Sequence, residues 1–166
     1  MAELTQQEKL QPSLLDRLAD DEPAEEIESR DKRILSLRQL RKSVHRDLGW
    51  LLNTCNLSCA VDLDGYSEVT SSVLNYGLPE LTGRTLMSLD RAGLERLLKK
   101  TILYYEPRIL ENSLRIRIDI DTNEMSHKAL TFDIEGELWA QPVPMRIYLK
   151  TELDLEFGKV KIEDLS

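Results

Sequence analysis

The sequence is short of the residues that most enzyme and nucleic-acid sites need. Aromatic residues make up 5% of its 166 positions, leaving no row of rings to stack on sugars or bases. It has two histidines and two cysteines. Cys55 and Cys59 lie four apart, and His45 and His127 are distant from each other in the chain. That pattern supplies neither a zinc set nor a disulfide framework; the cysteines read as a buried or free thiol pair. No Ser-His-Asp set, metal-ligand spacing or phosphate-cradling glycine loop is present. Asp62, Asp64 and Gly65 resemble a fragment of a calcium loop without its spacing or closing glutamate, so they read as a turn. No cofactor or metal is therefore expected. Apolar runs fall well short of a bilayer span, and the first residues are acidic and polar rather than basic and then apolar. The expectation is a soluble, cytoplasmic chain with no direct membrane insertion.

What is present is enough for one folded domain: 41% hydrophobic and 31% charged residues. The net charge of −8 is uneven. Residues 1–31 carry ten acids against three bases, and the remainder carries twenty against nineteen. We read 1–31 as an acidic, largely flexible arm and 32–166 as a single domain. One piece of the arm is amphipathic. Ser13 is placed to cap a short helix, with Asp16 three residues on, and Leu14, Leu15 and Leu18 share a face beside Arg17. Two readings stay open: the segment folds back on its own domain, or it anchors in a groove of another subunit.

From Lys32 to Asn53, apolar residues at Ile34, Leu37, Leu40, Val44, Leu48, Leu51 and Leu52 recur at spacings of three and four, which predicts a long amphipathic helix. Its other face carries Arg38, Arg41, Lys42 and Arg46, with Asp47 the only acid. Without aromatic platforms, and in an acidic chain, this face points away from nucleic acid and toward solvent, the acidic arm or an acidic partner. Gly49 is expected to allow close approach beside Trp50. A short helix is expected from Ser67 to Asn75 with Val69, Val73 and Leu74 inward and Gly77 at its C-terminal cap. A third is expected from about Ser88 or Asp90 to Tyr105.

The period then changes to two. Leu114, Ile116, Ile118 and Ile120 alternate with charges, as do Leu130, Phe132, Ile134, Gly136 and Leu138, and then Ile147, Leu149, Thr151, Leu153 and Leu155. Val160 and Ile162 suggest a short fourth strand. The fold class is α+β: N-terminal helices on one face of a three- to four-stranded antiparallel meander. Such a meander leaves edges open to another strand unless something covers them.

The change from helix to strand falls at Glu106-Pro107-Arg108. Pro107 stops the helix near Glu106 and leaves a carboxylate and a guanidinium on either side of a stiff ring. This corner is either a local structural pair or a polar docking point.

Five segments in order, Pro12-Ser13-Leu14-Leu15-Asp16-Arg17-Leu18, Asp47-Leu48-Gly49-Trp50-Leu51-Leu52-Asn53-Thr54, Val73-Leu74-Asn75-Tyr76-Gly77-Leu78-Pro79, Glu106-Pro107-Arg108 and Phe132-Asp133-Ile134-Glu135-Gly136, resemble the TssE-type baseplate subunits of type VI secretion systems. These belong to the lysozyme-named wedge family of contractile phage tails. One departure is Cys55, where the family often carries arginine. The resemblance implies a non-enzymatic baseplate part that meets the TssF and TssG wedge subunits, and TssK as a further baseplate neighbour. It implies a sheath of TssB and TssC that starts from this subunit by strand exchange, with Ile147, Leu149, Thr151, Leu153 and Leu155 as sheath-facing candidates. By the same resemblance Glu106, Pro107 and Arg108 meet the wedge, Leu14, Leu15, Arg17 and Leu18 form a second anchor, and the subunit assembles at the cytoplasmic side of the inner membrane. The lysozyme label suggests an alternative, a peptidoglycan hydrolase using Glu106 with Glu111 or Asp119. Arg108 beside Glu106 favours the ionised carboxylate, the reverse of what a general acid needs. A stand-alone interaction domain is the third reading.

Overall fold

The computed structural model describes residues 13–18, 37–81, 90–119, 129–140 and 144–165. The expectations for residues 1–12 and 19–36, with Ile34 among them, for a third helix starting at Ser88 and for Ile120 lie outside the described residues.

The apolar stripe of the first long segment forms helix α2, Leu37–Leu52, which buries Leu40, Val44, Leu48, Leu51 and Leu52. It follows the short helix α1, Leu14–Leu18. Helix α3 is Ser67–Thr70, and α4, Arg91–Tyr105, buries Leu94, Leu98 and Ile102. Four strands come next: β1 Arg115–Asp119, β2 Ala129–Leu138, β3 Met145–Asp154 and β4 Val160–Asp164. They form one antiparallel sheet in the order β1-β2-β3-β4. The alternation sends Ile118, Phe132, Ile134, Ile147, Leu149 and Leu153 to one face, where α4 lies over β1 and α2 over β4. The α+β expectation holds.

On the outer face, register pairs Arg117 with Asp133, Asp133 with Lys150 and Lys150 with Glu163, an alternating row of charges across all four strands. Each such opposite pair contributes a few tenths of a kcal/mol, roughly, and together they favour this register over a one-residue slip.

Three expectations change. The segment from Ser67 to Asn75 is not one helix: it breaks after Thr70 and resumes as a 3-10 turn at Val73–Asn75. Val73 and Leu74 are exposed, and the buried residue is Asn75, whose side chain accepts the Ser58 N–H and donates to Thr70 O. Gly77 stands just past Tyr76, which ends this 3-10 turn, rather than at the end of an α-helix. It has φ of 119°, and a Cβ there would lie 2.3 Å from Thr54 O, because the chain on either side of Leu78 runs against Thr54 and Asn56. At Gly49 the reverse holds: an added Cβ meets nothing within 4 Å, so no close approach explains that glycine.

Buried Thr151 is the one described side chain whose polar atom is fully enclosed without a hydrogen-bond partner. An orphaned hydroxyl in a core costs about 1–3 kcal/mol, while a methyl of similar shape costs none of that. Thr151→Val is therefore expected to raise stability by about 1 kcal/mol, read as a higher denaturant midpoint at unchanged slope; a lower midpoint would mean the hydroxyl has found a partner.

Candidate functional site

Helix α4 ends where Pro107 dictates. Tyr105 is its last residue, Glu106 leaves helical geometry at φ −124° and ψ 75°, and its N–H still closes on Ile102 O at 2.8 Å. The chain then turns onto the sheet. Leu110 N–H donates to Glu137 O, and Trp139 N–H donates to Arg108 O, so the corner is bonded through its main chain to the end of β2. Gly136 makes room there: a Cβ would lie 3.3 Å from the Ile109 side chain.

This turn carries Glu106 inward, to 2% exposure, and lays Arg108 over it. Arg108 Nε donates to Glu106 Oε1 at 2.6 Å and Nη2 to Oε2 at 2.5 Å, a two-pronged pair. The same guanidinium reaches α2, donating to Asp47 Oδ2 at 2.5 Å and to Ser43 Oγ at 3.0 Å. Burial works against the Arg108 charge, but the carboxylates of Glu106 and Asp47 outweigh it and push its pKa up. Both Glu106 oxygens are therefore engaged by one arginine.

The network continues along α2. Arg46 donates to Asp47 Oδ1 and, through Nη1, to Asp16 Oδ1 at 2.6 Å, and its guanidinium lies 5.0 Å from the Trp50 ring centroid. Asp16 Oδ2 also accepts from Ser13 Oγ at 2.6 Å and Ser43 Oγ at 2.8 Å. A single polar chain thus runs Glu106, Arg108, Asp47, Arg46, Asp16 from the sheet corner to α1. Ser13 occupies its expected capping position, its hydroxyl accepting the Asp16 N–H at 3.3 Å. The first of the two open readings is met: α1 is held on its own domain, by its polar side. Leu14, Leu15 and Leu18 face outward, at 70%, 46% and 73% exposure. Arg17 lies within the same helix.

Burial pushes the Asp16 carboxyl up, but the hydrogen bonds from Ser13, Arg46 and Ser43 and the Arg46 charge outweigh it and hold it at about 2. A carboxyl lowered in the folded state contributes stability that is fully present above its unfolded value and disappears as pH falls through the folded one. Docking of α1 should therefore persist from neutral pH to about 4 and fail as pH drops toward 2. At neutral pH, Asp16→Ala should speed amide exchange across residues 14–18 by ~10-fold while leaving the core midpoint nearly unchanged; unaltered exchange would show that other contacts hold α1.

The sheet edges form the second part of the site. In the β3–β4 ladder, Asp154 N–H donates to Lys159 O and Leu165 N–H to Tyr148 O. Lys161 and Glu163 therefore face β3, and Val160 and Ile162 turn their N–H and C=O outward. At Val160 this edge is taken. Asn53, just past α2, accepts Val160 N–H and donates to Val160 O, both at 2.9 Å, as a neighbouring strand would. Arg41 braces the far end through two bonds to the Asp164 carboxylate. On the opposite edge, Ile118 N–H donates to Glu95 of α4 at 3.1 Å. The meander edges are thus each guarded at one position, rather than open along their length.

This corrects the strand candidates. Ile147, Leu149, Thr151, Leu153 and Leu155 are all buried; Leu149, Thr151 and Leu153 are paired on one side with β2 and on the other with β4, while Ile147 pairs with β2 alone. From Leu149 to Leu153 β3 is interior and offers no edge; the outer strands are β1 and β4.

With the fold and site in view, the chain matches the model of the family described as baseplate wedge protein gp25 over residues 38–143. The chain belongs to that family. No curated protein and no solved structure matches it. The matched span covers α2, the corner and the sheet through β2, so the resemblance to TssE-type subunits holds at the level of the family, and with it a structural role in a baseplate. Within this wedge-family chain, Glu106, Pro107 and Arg108 are brought together with α1 through Asp47 and Arg46. Ser43 and Asp47 were missed as site members, although their spacing with Arg46 and Trp50 puts all four along one side of α2. Asn53 and Glu95 were missed because their partners on the sheet edges are main-chain groups, which no side-chain pattern reveals. Asp62 and Asp64 form the expected turn, with Asp64 N–H on Asp62 Oδ1. Among the described residues no cluster of three or more His, Cys, Asp or Glu suits a metal ion, and no helix is long and apolar enough to cross a membrane.

Proposed function

We propose that this protein is the TssE-type subunit of a type VI secretion baseplate, docked on TssF and TssG and starting the TssB–TssC sheath by accepting a strand on the edge of β4. The observation that carries the reading is the outward N–H and C=O of Ile162, standing beyond the position that Asn53 occupies in a chain of the gp25 family. An added strand would gain main-chain hydrogen bonds there, and side chains would set its register. A base opposite Glu163 would continue the alternating row that begins at Arg117.

Docking on the wedge would use the face beside the corner. Glu106 is enclosed, so its part is to hold Arg108, while exposed Pro107, Trp50 and the outward Leu14, Leu15 and Leu18 supply contact surface. The polar chain from Glu106 to Asp16 would then keep two contact patches in fixed relation. TssK would be a further neighbour, at the cytoplasmic side of the inner membrane. No catalytic role is assigned: a carboxylate gripped on both oxygens by arginine suits structure rather than proton donation.

Purified full-length protein added to TssB and TssC provides the test. Sheath assembly seeded in proportion to this subunit supports the reading. Assembly that proceeds at the same rate without it, or clearing of cell-wall substrate that is lost in Glu106→Gln, would overturn it.

A further inference from the structure

Gly49 serves no purpose inside the described fold. A glycine within a helix weakens it, and among the described residues an added Cβ there would meet nothing within 4 Å. Its place on α2 gives it a use. Arg41, His45, Gly49 and Asn53 follow at intervals of four and so form one row along the helix. Both ends of that row are bonded to β4: Arg41 to the Asp164 carboxylate, and Asn53 to the main chain of Val160. Helix α2 therefore runs antiparallel to β4, with this row along the edge that β4 turns away from β3. One turn back from Asn53 is a step of about 6 Å, and two residues along a strand span about 6.6 Å. Gly49 thus comes level with Ile162, whose outward N–H and C=O follow those taken by Asn53. The Asn53 side chain also donates to Gly49 O at 2.8 Å, which ties the guard to the glycine. At Val160 the row fills the place of a neighbouring strand; beside Ile162 it offers bare backbone.

We propose, resting on strand addition at β4, that Gly49 is the seat for one side chain of the incoming strand: a large aliphatic or aromatic residue opposite Ile162. Ile162 packs against the core on the inner face of the sheet, two residues from buried Val160. An incoming side chain on that face leaves water for apolar surface, with the Ile162 side chain on one side and the backbone of Gly49 on the other. Its neighbour along the strand falls on the outer face, because side chains alternate. There a base opposite Glu163 continues the row of Arg117, Asp133 and Lys150. The edge therefore selects a strand that carries a large apolar residue next to a basic one. Any side chain at position 49 would take the volume that the apolar residue needs, which is why the helix keeps a glycine where its own fold asks for none.

Sheath seeding from TssB and TssC is measured with the full chain, with Gly49→Ala and with Gly49→Leu, alongside the denaturant midpoint of each. Both replacements remove a helix glycine, so both midpoints should lie at or above that of the parent. Seeding should nevertheless fall, several-fold for alanine and on the order of tenfold for leucine, because an overfilled seat turns the incoming side chain away. Amide exchange at Val160 should stay as slow as in the parent, showing that Asn53 still holds its position; should leucine loosen that edge, the alanine variant decides. Parent-level seeding by both glycine variants, with Ile162→Pro inactive, would overturn the seat and leave strand addition on β4 in place. Parent-level seeding by all three would remove strand addition itself. A lower midpoint for Gly49→Ala would also overturn the proposal, because the glycine would then serve the fold.

Discussion

Arg108→Ala should destabilise the isolated protein by about 3–5 kcal/mol, enough to remove much of a small domain's stability. The size follows from what the arginine leaves behind. Glu106 is 2% exposed and has both oxygens on this guanidinium, while Asp47 loses one of its two arginine partners. Truncating one partner strands a buried carboxylate, which costs far more than the net worth of the pair. Removing the other charge as well should recover part of the loss, so Glu106→Gln with Arg108→Met should unfold at a higher denaturant concentration than Arg108→Ala alone. A double-mutant cycle reads the coupling. If Arg108→Ala cost less than about 1 kcal/mol, the corner would be a solvated pair contributing to a partner contact rather than to the fold.

Ile162→Pro should cut sheath seeding on the order of 100-fold while costing the folded protein little, since losing the N–H leaves the incoming strand's carbonyl unsatisfied, a cost of up to roughly 3 kcal/mol at an interface. Proline is tolerated on an edge strand where its missing N–H faced outward, and Ile162 is such a position. The incoming strand, however, would meet a ring where it needs a donor. The same change one residue earlier is the control. Lys161 faces β3 opposite Glu152, so Lys161→Pro should break the ladder and lower the thermal midpoint. Loss of seeding with an intact midpoint separates a blocked edge from a damaged sheet. Equal seeding by Ile162→Pro and the parent would rule out strand addition at this position.

Periodicity made most of this architecture legible. The two long strands and the phase of each inward face could be read directly, because a half-buried sheet has a period of two and a one-residue slip would bury charge; whether Arg117 stands opposite Asp133 or Glu135 could not, since the two share a phase. The helix stop before Pro107 was equally plain, since the ring acts locally. The failures share a cause. Ser67 to Asn75 has the composition of a helix, but the Asn75 amide bonds to Ser58 and Thr70, and that long-range bond shapes the turn. The third strand looked available because sequence gives strand phase but not strand neighbours; the fourth strand read from Val160 and Ile162 turns out to lie beside it and covers Leu149–Leu153. The corner's acid and base were visible two residues apart, whereas their link to Asp16 crosses from sheet to α2 to α1 and no local spacing encodes it.

Amide exchange at Ile162, followed in the full chain with and without TssB and TssC, bears most directly on how the sheath is held. Protection appearing at Ile162 on sheath binding, with Ile116 on the far edge left as it was, is the expected outcome. Stable sheath binding that leaves Ile162 exchanging as in the free protein would contradict strand addition on β4.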